Sequence, residues 1–212
     1  MVKGRFITLE GGEGAGKSTQ VGPLATALRA RGLEVVTTRE PGGSAGAEEI
    51  RRLLVTGGAG RWSAVTEAFL HFAARRDHLE RTVWPALDRG GWVISDRFAD
   101  STLAYQGHGL GLDPTVIGRL SELALGHFAP DLTLILDLPL EIGLGRMRAR
   151  GGADRYETME TAFHHRVREG FLEIARQAPE RCAVVDAAGS ETAVTAAILS
   201  VVCARLRPPG GP

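Results

Sequence analysis

Short, nearly continuous apolar runs alternate along this chain with longer segments in which apolar residues recur every three or four positions. The short runs are RFITLE (5–10), LEVVTT (33–38), WVISD (92–96), LTLILDL (132–138) and CAVVDA (182–187). Each has the length and β-branched content of a strand, and a run apolar on successive residues suits a strand covered on both faces. Residues 17–31 place Val21, Leu24, Ala25 and Leu28 at helical spacing and stop at Gly32. Helical patterns are also predicted over 46–56, 64–88 (bent near Pro85), 99–106, 114–127, 140–149, 158–177 and 190–206. Five strands alternating with helices predict an α/β, three-layer fold. It has a five-stranded parallel sheet, helices on both faces, and a ligand site at the carboxyl ends of the strands.

Nothing in the pattern splits the chain, so one domain is expected over residues 1–207, followed by a flexible tail, PPGGP, at 208–212. With 212 residues, 43% of them hydrophobic, the chain is long enough to bury a core without a disulfide or metal. Lys plus Arg and Asp plus Glu both number 25, and a neutral chain is a poor nucleic-acid wrapper. No apolar stretch is long enough to span a membrane, and the apolar run at the start is too short for a signal peptide. Cys182 and Cys203 lack metal or redox spacing and are read as reduced thiols, which points to the cytoplasm.

The first predicted strand runs into Gly11-Gly12-Glu13-Gly14-Ala15-Gly16-Lys17-Ser18, and Thr19 follows. This is G-x-x-x-x-G-K-[ST], the P-loop, in its required place between a strand and a helix. Glycines let successive backbone N–H groups converge on phosphate oxygens, and the helix that follows points its positive end at the same anion. Lys17 reaches the outer phosphates and the Ser18 hydroxyl is placed to ligate Mg²⁺, so a nucleoside triphosphate with Mg²⁺ is the expected ligand. No N-K-x-D motif of a GTPase switch is present.

Two further clusters suggest what that phosphate is used for. Asp96 and Arg97 end a buried strand, where a carboxylate can organise the metal and an arginine can grip a second phosphate bidentately. Arg146, Arg148, Arg150 and Arg155 flank Gly151-Gly152 between two helical patterns. A solvated helix face accounts for Arg146, whereas a glycine-hinged lid over about 146–157 would bring the other arginines onto a migrating phosphoryl group. The six histidines have no metal-ligand spacing.

Taken together, FITLEGGEGAGKST, TREPGG (38–43), EEIRRLL (48–54), FAARRDH near 75, SDRFADSTLAYQG (95–107) and RMRARGGADRYE (146–157) resemble the bacterial thymidylate kinases over residues 5–187. The resemblance implies a P-loop NTPase-type fold, transfer of the ATP γ-phosphate to dTMP, and a homodimer formed through helices. It implies that Glu13 contacts the sugar 3′-hydroxyl, that Arg97 holds the dTMP phosphate, and that Asp96 organises the metal with Ser18. Arg51, Arg75, Thr102 and Gln106 would contact the monophosphate, mainly its base. Tyr105 would crowd the 2′ position, and the segment around Pro41 would help form the site. With no arginine among Gly12, Glu13, Gly14 and Ala15, the chain resembles the form whose catalytic arginine is in the lid, at Arg148, Arg150 or Arg155. The family stacks an aromatic ring on the base from four positions before the base-reading arginine. Here that position is His71 if the arginine is Arg75 and Phe72 if it is Arg76. Successive helical residues diverge by about 100°, so only one of the two faces the base.

A phosphate acceptor is already ionised near neutral pH, so no general base is needed, which agrees with the lack of a Ser-His-Asp or Cys-His site. Two alternatives remain at this level. One is a deoxynucleoside or other nucleotide kinase on the same frame, in which Glu13 would serve as base. The other is an ATP-dependent switch, which would need only one phosphate site.

Overall fold

The computed structural model describes residues 4–58, 60–150 and 155–209, with the side chain of Arg150 outside that description. Five strands, β1 (Arg5–Glu10), β2 (Val35–Arg39), β3 (Trp92–Asp96), β4 (Leu132–Asp137) and β5 (Cys182–Asp186), form one all-parallel sheet in the order β2-β3-β1-β4-β5. β1 pairs with β3 on one side (Ile7 opposite Ile94) and with β4 on the other (Leu9 opposite Leu134). The glycine loop thus leaves the centre of the sheet.

The strands divide their side chains between two cores. Ile7 and Leu9 of β1 and Leu132, Leu134 and Leu136 of β4 pack with Leu24 and Leu28 of α1 (Lys17–Arg29) and Ile198 and Val202 of α9 (Glu191–Leu206). On the opposite face Phe6 meets Phe72, Val93 and Phe98, while Ile135 meets Phe163 and Phe171 of α8 (Thr161–Gln177). Alternation along a strand sends neighbours to opposite faces, so a continuous apolar run is what a doubly covered strand requires. The second face also carries a buried polar strip. Thr8 and Thr133 share a hydrogen bond of 2.9 Å, and Arg181 pairs with Asp100 at 2.6 Å.

The remaining helices are α2 (Ala45–Val55), α3 (Ala64–His78), α4 (Trp84–Asp88), α5 (Ala99–Thr102), α6 (Pro114–Leu125) and α7 (Leu140–Arg150). The helix expected over 64–88 changes pitch rather than merely bending. A π segment, Leu79–Val83, separates α3 from α4, and the Trp84 N–H bonds back to the Leu79 carbonyl. Pro85 has no N–H to continue the α ladder, which widens before it. A second π segment, Leu103–Gly109, occupies much of the expected helix 99–106. In the expected tail Pro208 is buried, so the chain is held at least to that residue, and 210–212 lie outside the described residues. No helix among the described residues is long and apolar enough to cross a membrane.

Candidate active site

A cleft of about 1290 Å³ opens along the carboxyl ends of the strands. It exceeds the roughly 300–1,000 Å³ usual for one small ligand. One end is lined by Ala187, Ser190, Glu191 and Val194 and the other by Pro41, Arg51, His71, Gln106 and Tyr156, with the loop residues Glu13–Thr19 between them.

The loop owes its shape to glycine at positions where no side chain fits. Gly14 has φ +70°, and a Cβ there would collide with the Gly143 carbonyl of α7; a Cβ on Gly143 would approach the Glu13 carbonyl to 2.7 Å. The first turn of α7 is therefore pressed backbone to backbone against the loop. Lys17 Nζ donates to the carbonyls of Gly11 (3.0 Å) and Gly12 (2.7 Å). Burial lowers its pKa to about 8, with the Arg97 charge acting in the same direction. The Ser18 hydroxyl donates to Asp96 Oδ2 in a short hydrogen bond, so the two residues expected at a metal converge in the cleft.

Arg97 follows β3 with φ 72°, a left-handed conformation unusual for a residue bearing a Cβ. Its N–H is fixed by the Leu9 carbonyl at 2.9 Å. The turn swings the guanidinium across the sheet to the Gly11 carbonyl (3.1 Å), Ser101 Oγ (3.2 Å), Glu13 Oε1 (2.7 Å) and Tyr105 Oη (3.0 Å). Tyr105 also donates to Glu13 Oε1 at 2.6 Å. Burial works to raise the Glu13 pKa, but Arg97 and Lys17 outweigh it and hold the carboxyl at about 2. Beneath this cluster Glu10 accepts from Phe98 N (2.7 Å) and Ser101 Oγ (2.6 Å), and burial, reinforced by Asp100, raises its pKa to about 8.

Helix α3 contributes a polar stripe at helical spacing: Glu67, His71, Arg75 and His78. Arg75 is buried behind the cleft wall. Its Nε pairs with Glu40 Oε2 at 2.7 Å, and its Nη2 donates to the Phe98 carbonyl (3.0 Å) and Thr102 Oγ1 (3.1 Å). Glu40 is held from its other side by His78 Nδ1 at 2.9 Å. Arg75 Nη1 and Gln106 Oε1 are buried without a hydrogen-bond partner among the described residues. His71 lines the cleft, and burial together with Arg75 and other cations lowers its pKa to about 3, so the ring is neutral. Arg51, also lining, donates to the Pro41 carbonyl at 2.6 Å.

Several expectations are corrected by this geometry. Phe72 does not line the cleft; it is 4% exposed, packs in the core, and lies under the Arg75 guanidinium at 4.8 Å. One residue's rotation on α3 gives the cleft to His71 and the core to Phe72. Thr102 is buried and touches Arg75 rather than the cleft. Arg155 is 2% exposed and turned inward, onto Glu67 at 2.5 Å and the Leu54 carbonyl at 3.1 Å. Arg148 is exposed and outside the cleft lining; Arg146 is exposed, as its solvated reading expects, and also borders the cleft, donating to the Ala187 carbonyl at 3.2 Å. The Arg150 side chain and lid residues 151–154 lie outside the described residues. Glu67 and Glu40 were not singled out from the sequence, although the i, i+4 spacing of Glu67, His71 and Arg75 marks one face of α3 as polar and inward.

A family model described as thymidylate kinase matches residues 9–198. The chain belongs to the thymidylate kinase family. It is 59% identical over 206 residues to the thymidylate kinase of Caulobacter vibrioides, covering 97% of this chain and 99% of that one. The Gluconobacter oxydans thymidylate kinase is 55% identical over 204 residues, 94% of each chain. The crystal structure of thymidylate kinase from Ehrlichia chaffeensis superposes with a TM-score of 0.77 at 34% identity, covering 94% of this chain and 98% of that one. The P-loop NTPase-type α/β fold expected from the sequence is the fold found.

Proposed function

We propose that this chain transfers the γ-phosphate of ATP to dTMP, giving dTDP and ADP, as a single kinase domain over residues 1–207 that works in the cytoplasm. The observation that carries this reading is the Arg97 guanidinium, placed between the glycine loop and a second pocket in one continuous cleft. A switch needs one phosphate site; this cleft offers cationic groups for two. The loop residues Gly11–Thr19 and Lys17 hold the ATP phosphates, and Arg97 and Arg51 the dTMP phosphate. Arg75 and Gln106 read the base, on which the neutral His71 ring stacks. Glu13 and Tyr105, locked to each other and to Arg97, shape the sugar site. Thr102 contributes by fixing Arg75, and Pro41 by seating Arg51.

Catalysis rests on aligning the two anions and neutralising charge as the phosphoryl group moves. Mg²⁺ suits oxygen donors and is usually bound through one or two carboxylates with phosphates and waters completing its shell. Ser18 and Asp96 fit that pattern and would hold it, and the ion would neutralise phosphate charge. Arg146 is the lid-side arginine already facing the cleft. Arg148 and Arg150 would reach the phosphates from the lid, and Arg155 would have to leave Glu67 to join them.

The nucleoside-kinase reading is disfavoured by Glu13, since a carboxylate held at about 2 by Arg97 and Lys17 is a weak base. The deciding experiment is ATP turnover with Mg²⁺ over dTMP, dUMP, UMP, dCMP and thymidine. The expected result is strong preference for dTMP and little turnover of thymidine. Turnover of thymidine instead would make this a nucleoside kinase, and slow hydrolysis indifferent to acceptor would leave a switch.

We also propose a homodimer. Leu53 of α2, Val65 and Phe69 of α3 and Leu123 of α6 are 41%, 41%, 57% and 81% exposed, on helices that pack side by side. Exposed apolar side chains gathered in this way mark association surfaces. Phe69→Glu is expected to shift sedimentation from dimer to monomer; a wild-type chain that sediments as a monomer at micromolar concentration would refute the dimer.

A further inference from the structure

We infer that Glu67, which touches no substrate in the reading above, sets the base specificity by fixing which way the polar groups of the base pocket face. The inference rests on the proposed assignment of Arg75 and Gln106 to the base. Glu67 is fully buried, one helical turn before His71. Its Oε1 pairs with Arg155 at 2.5 Å, and its Oε2 lies 3.0 Å from both Gln106 Nε2 and Tyr156 Oη.

A carboxylate only accepts hydrogen bonds, so both neighbours must donate to it. The Gln106 amide is therefore pinned with its NH₂ toward Glu67 and its oxygen free, and that oxygen has no partner among the described residues. Tyr156 gives its single proton to Glu67 and so accepts from its other neighbours, Gln106 Nε2 at 3.3 Å and His71 Nε2 at 3.1 Å. The neutral His71 ring then carries its proton on Nε2. One carboxylate thus orders three side chains of the pocket, while Arg155 supplies its counter-charge from the lid side.

The result is an acceptor, Gln106 Oε1, on the cleft wall and a donor, Arg75 Nη1, behind that wall, each buried and without a hydrogen-bond partner among the described residues. Thymine presents the matching edge, a carbonyl at C4 and an N–H at N3. Cytosine presents the reverse, an amino group at C4 and a lone pair at N3. A buried polar group left unpaired or opposed is heavily penalised, which makes such a site selective. In Glu67→Gln the new amide offers its own N–H to Gln106, which then turns its oxygen toward residue 67 and its NH₂ toward the base.

The test is the ratio of kcat/KM for dTMP to that for dCMP in wild type, Glu67→Gln, Gln106→Leu and the double variant, with the melting temperature of each. The expected result is a ratio at least about tenfold lower in Glu67→Gln. Glu67→Gln should bring no further loss of ratio in the Gln106→Leu background, because the two residues act through one contact. Glu67→Asp keeps the charge opposite Arg155 but withdraws it from Gln106; it carries the same expectation should Glu67→Gln fail to fold. Equal falls for dTMP and dCMP, or additive losses in the double variant, would overturn the inference and leave Glu67 a structural residue. A wild-type enzyme with no preference for dTMP over dCMP would instead refute the base-reading assignment beneath it.

Discussion

Arg97→Ala is expected to lower kcat/KM for dTMP by about 10³-fold, equivalent to about 4 kcal/mol of transition-state stabilisation. Three losses combine. The cation facing the acceptor phosphate disappears. The Gly11 carbonyl and Ser101 lose the donor that ties them to the end of β3. Glu13, now lacking its 2.7 Å partner, presents an unbalanced carboxylate to an incoming anion. Arg97→Lys keeps a charge but not the fork whose Nη1 reaches Gly11 and Ser101 while its Nη2 reaches Glu13 and Tyr105, and is expected to recover about a tenth of the lost rate. Arg97→Gly separates chemistry from backbone, since glycine adopts φ 72° without strain and should fold at least as well while remaining as impaired as alanine. Measured with dTMP varied at saturating ATP, an alanine variant within threefold of wild type would remove Arg97 from the acceptor site.

The second large effect is expected at Lys17. Lys17→Ala should reduce kcat by about 10²–10³-fold, because the charge it places on the outer phosphates has no substitute within the loop. It also carries a pH signature. The pKa of Lys17 is about 8 in the free protein, lowered chiefly by burial and then by Arg97. The charged form that attracts phosphate is therefore complete well below pH 8 and is lost as pH rises through it. ATP affinity in the wild type should weaken from about pH 8 upward, and Lys17→Ala should bind ATP weakly with no such inflection. The ionisation also works on the fold. A folded pKa below the ordinary 10.5 means the unfolded chain holds more protons between those values, so stability gains from this residue as pH rises from about 8 to 10.5. Calorimetric ATP titrations across pH 6.5–9.5 would decide it; an inflection that persists in Lys17→Ala would assign the titration to another group.

Those two residues differ in how visible they were beforehand. Lys17 lies in a motif whose spacing follows from a local need, a glycine turn opening a helix, so its place beside the cleft could be named from eight consecutive residues. Arg97 could be named as the residue after a buried strand. Its contacts with Glu13, 84 positions away in sequence, exist only because β3 lies next to β1 in the sheet. Phe72 shows the limit of pattern reading, since it and His71 differ by one position and no periodicity says which flank of α3 meets the cleft. Arg155 shows another. Its charge and its glycine neighbours suggested a cation over the phosphates, yet it is buried against Glu67, an acid 88 positions earlier.

The sequence by itself determined the strands, the parallel α/β class and the glycine loop. Each follows from interactions within a few residues of chain, where apolar period, turn chemistry and motif spacing act directly. The tertiary structure decided the strand order, the π segments before Pro85 and after Thr102, and the choice of His71 over Phe72. It also decided the inward turn of Arg155 and the gathering of Gln106, Tyr156, His71 and Arg155 around Glu67. Those depend on which elements pack together. A buried charge must find its partner wherever packing brings one, and sequence distance places no limit on that.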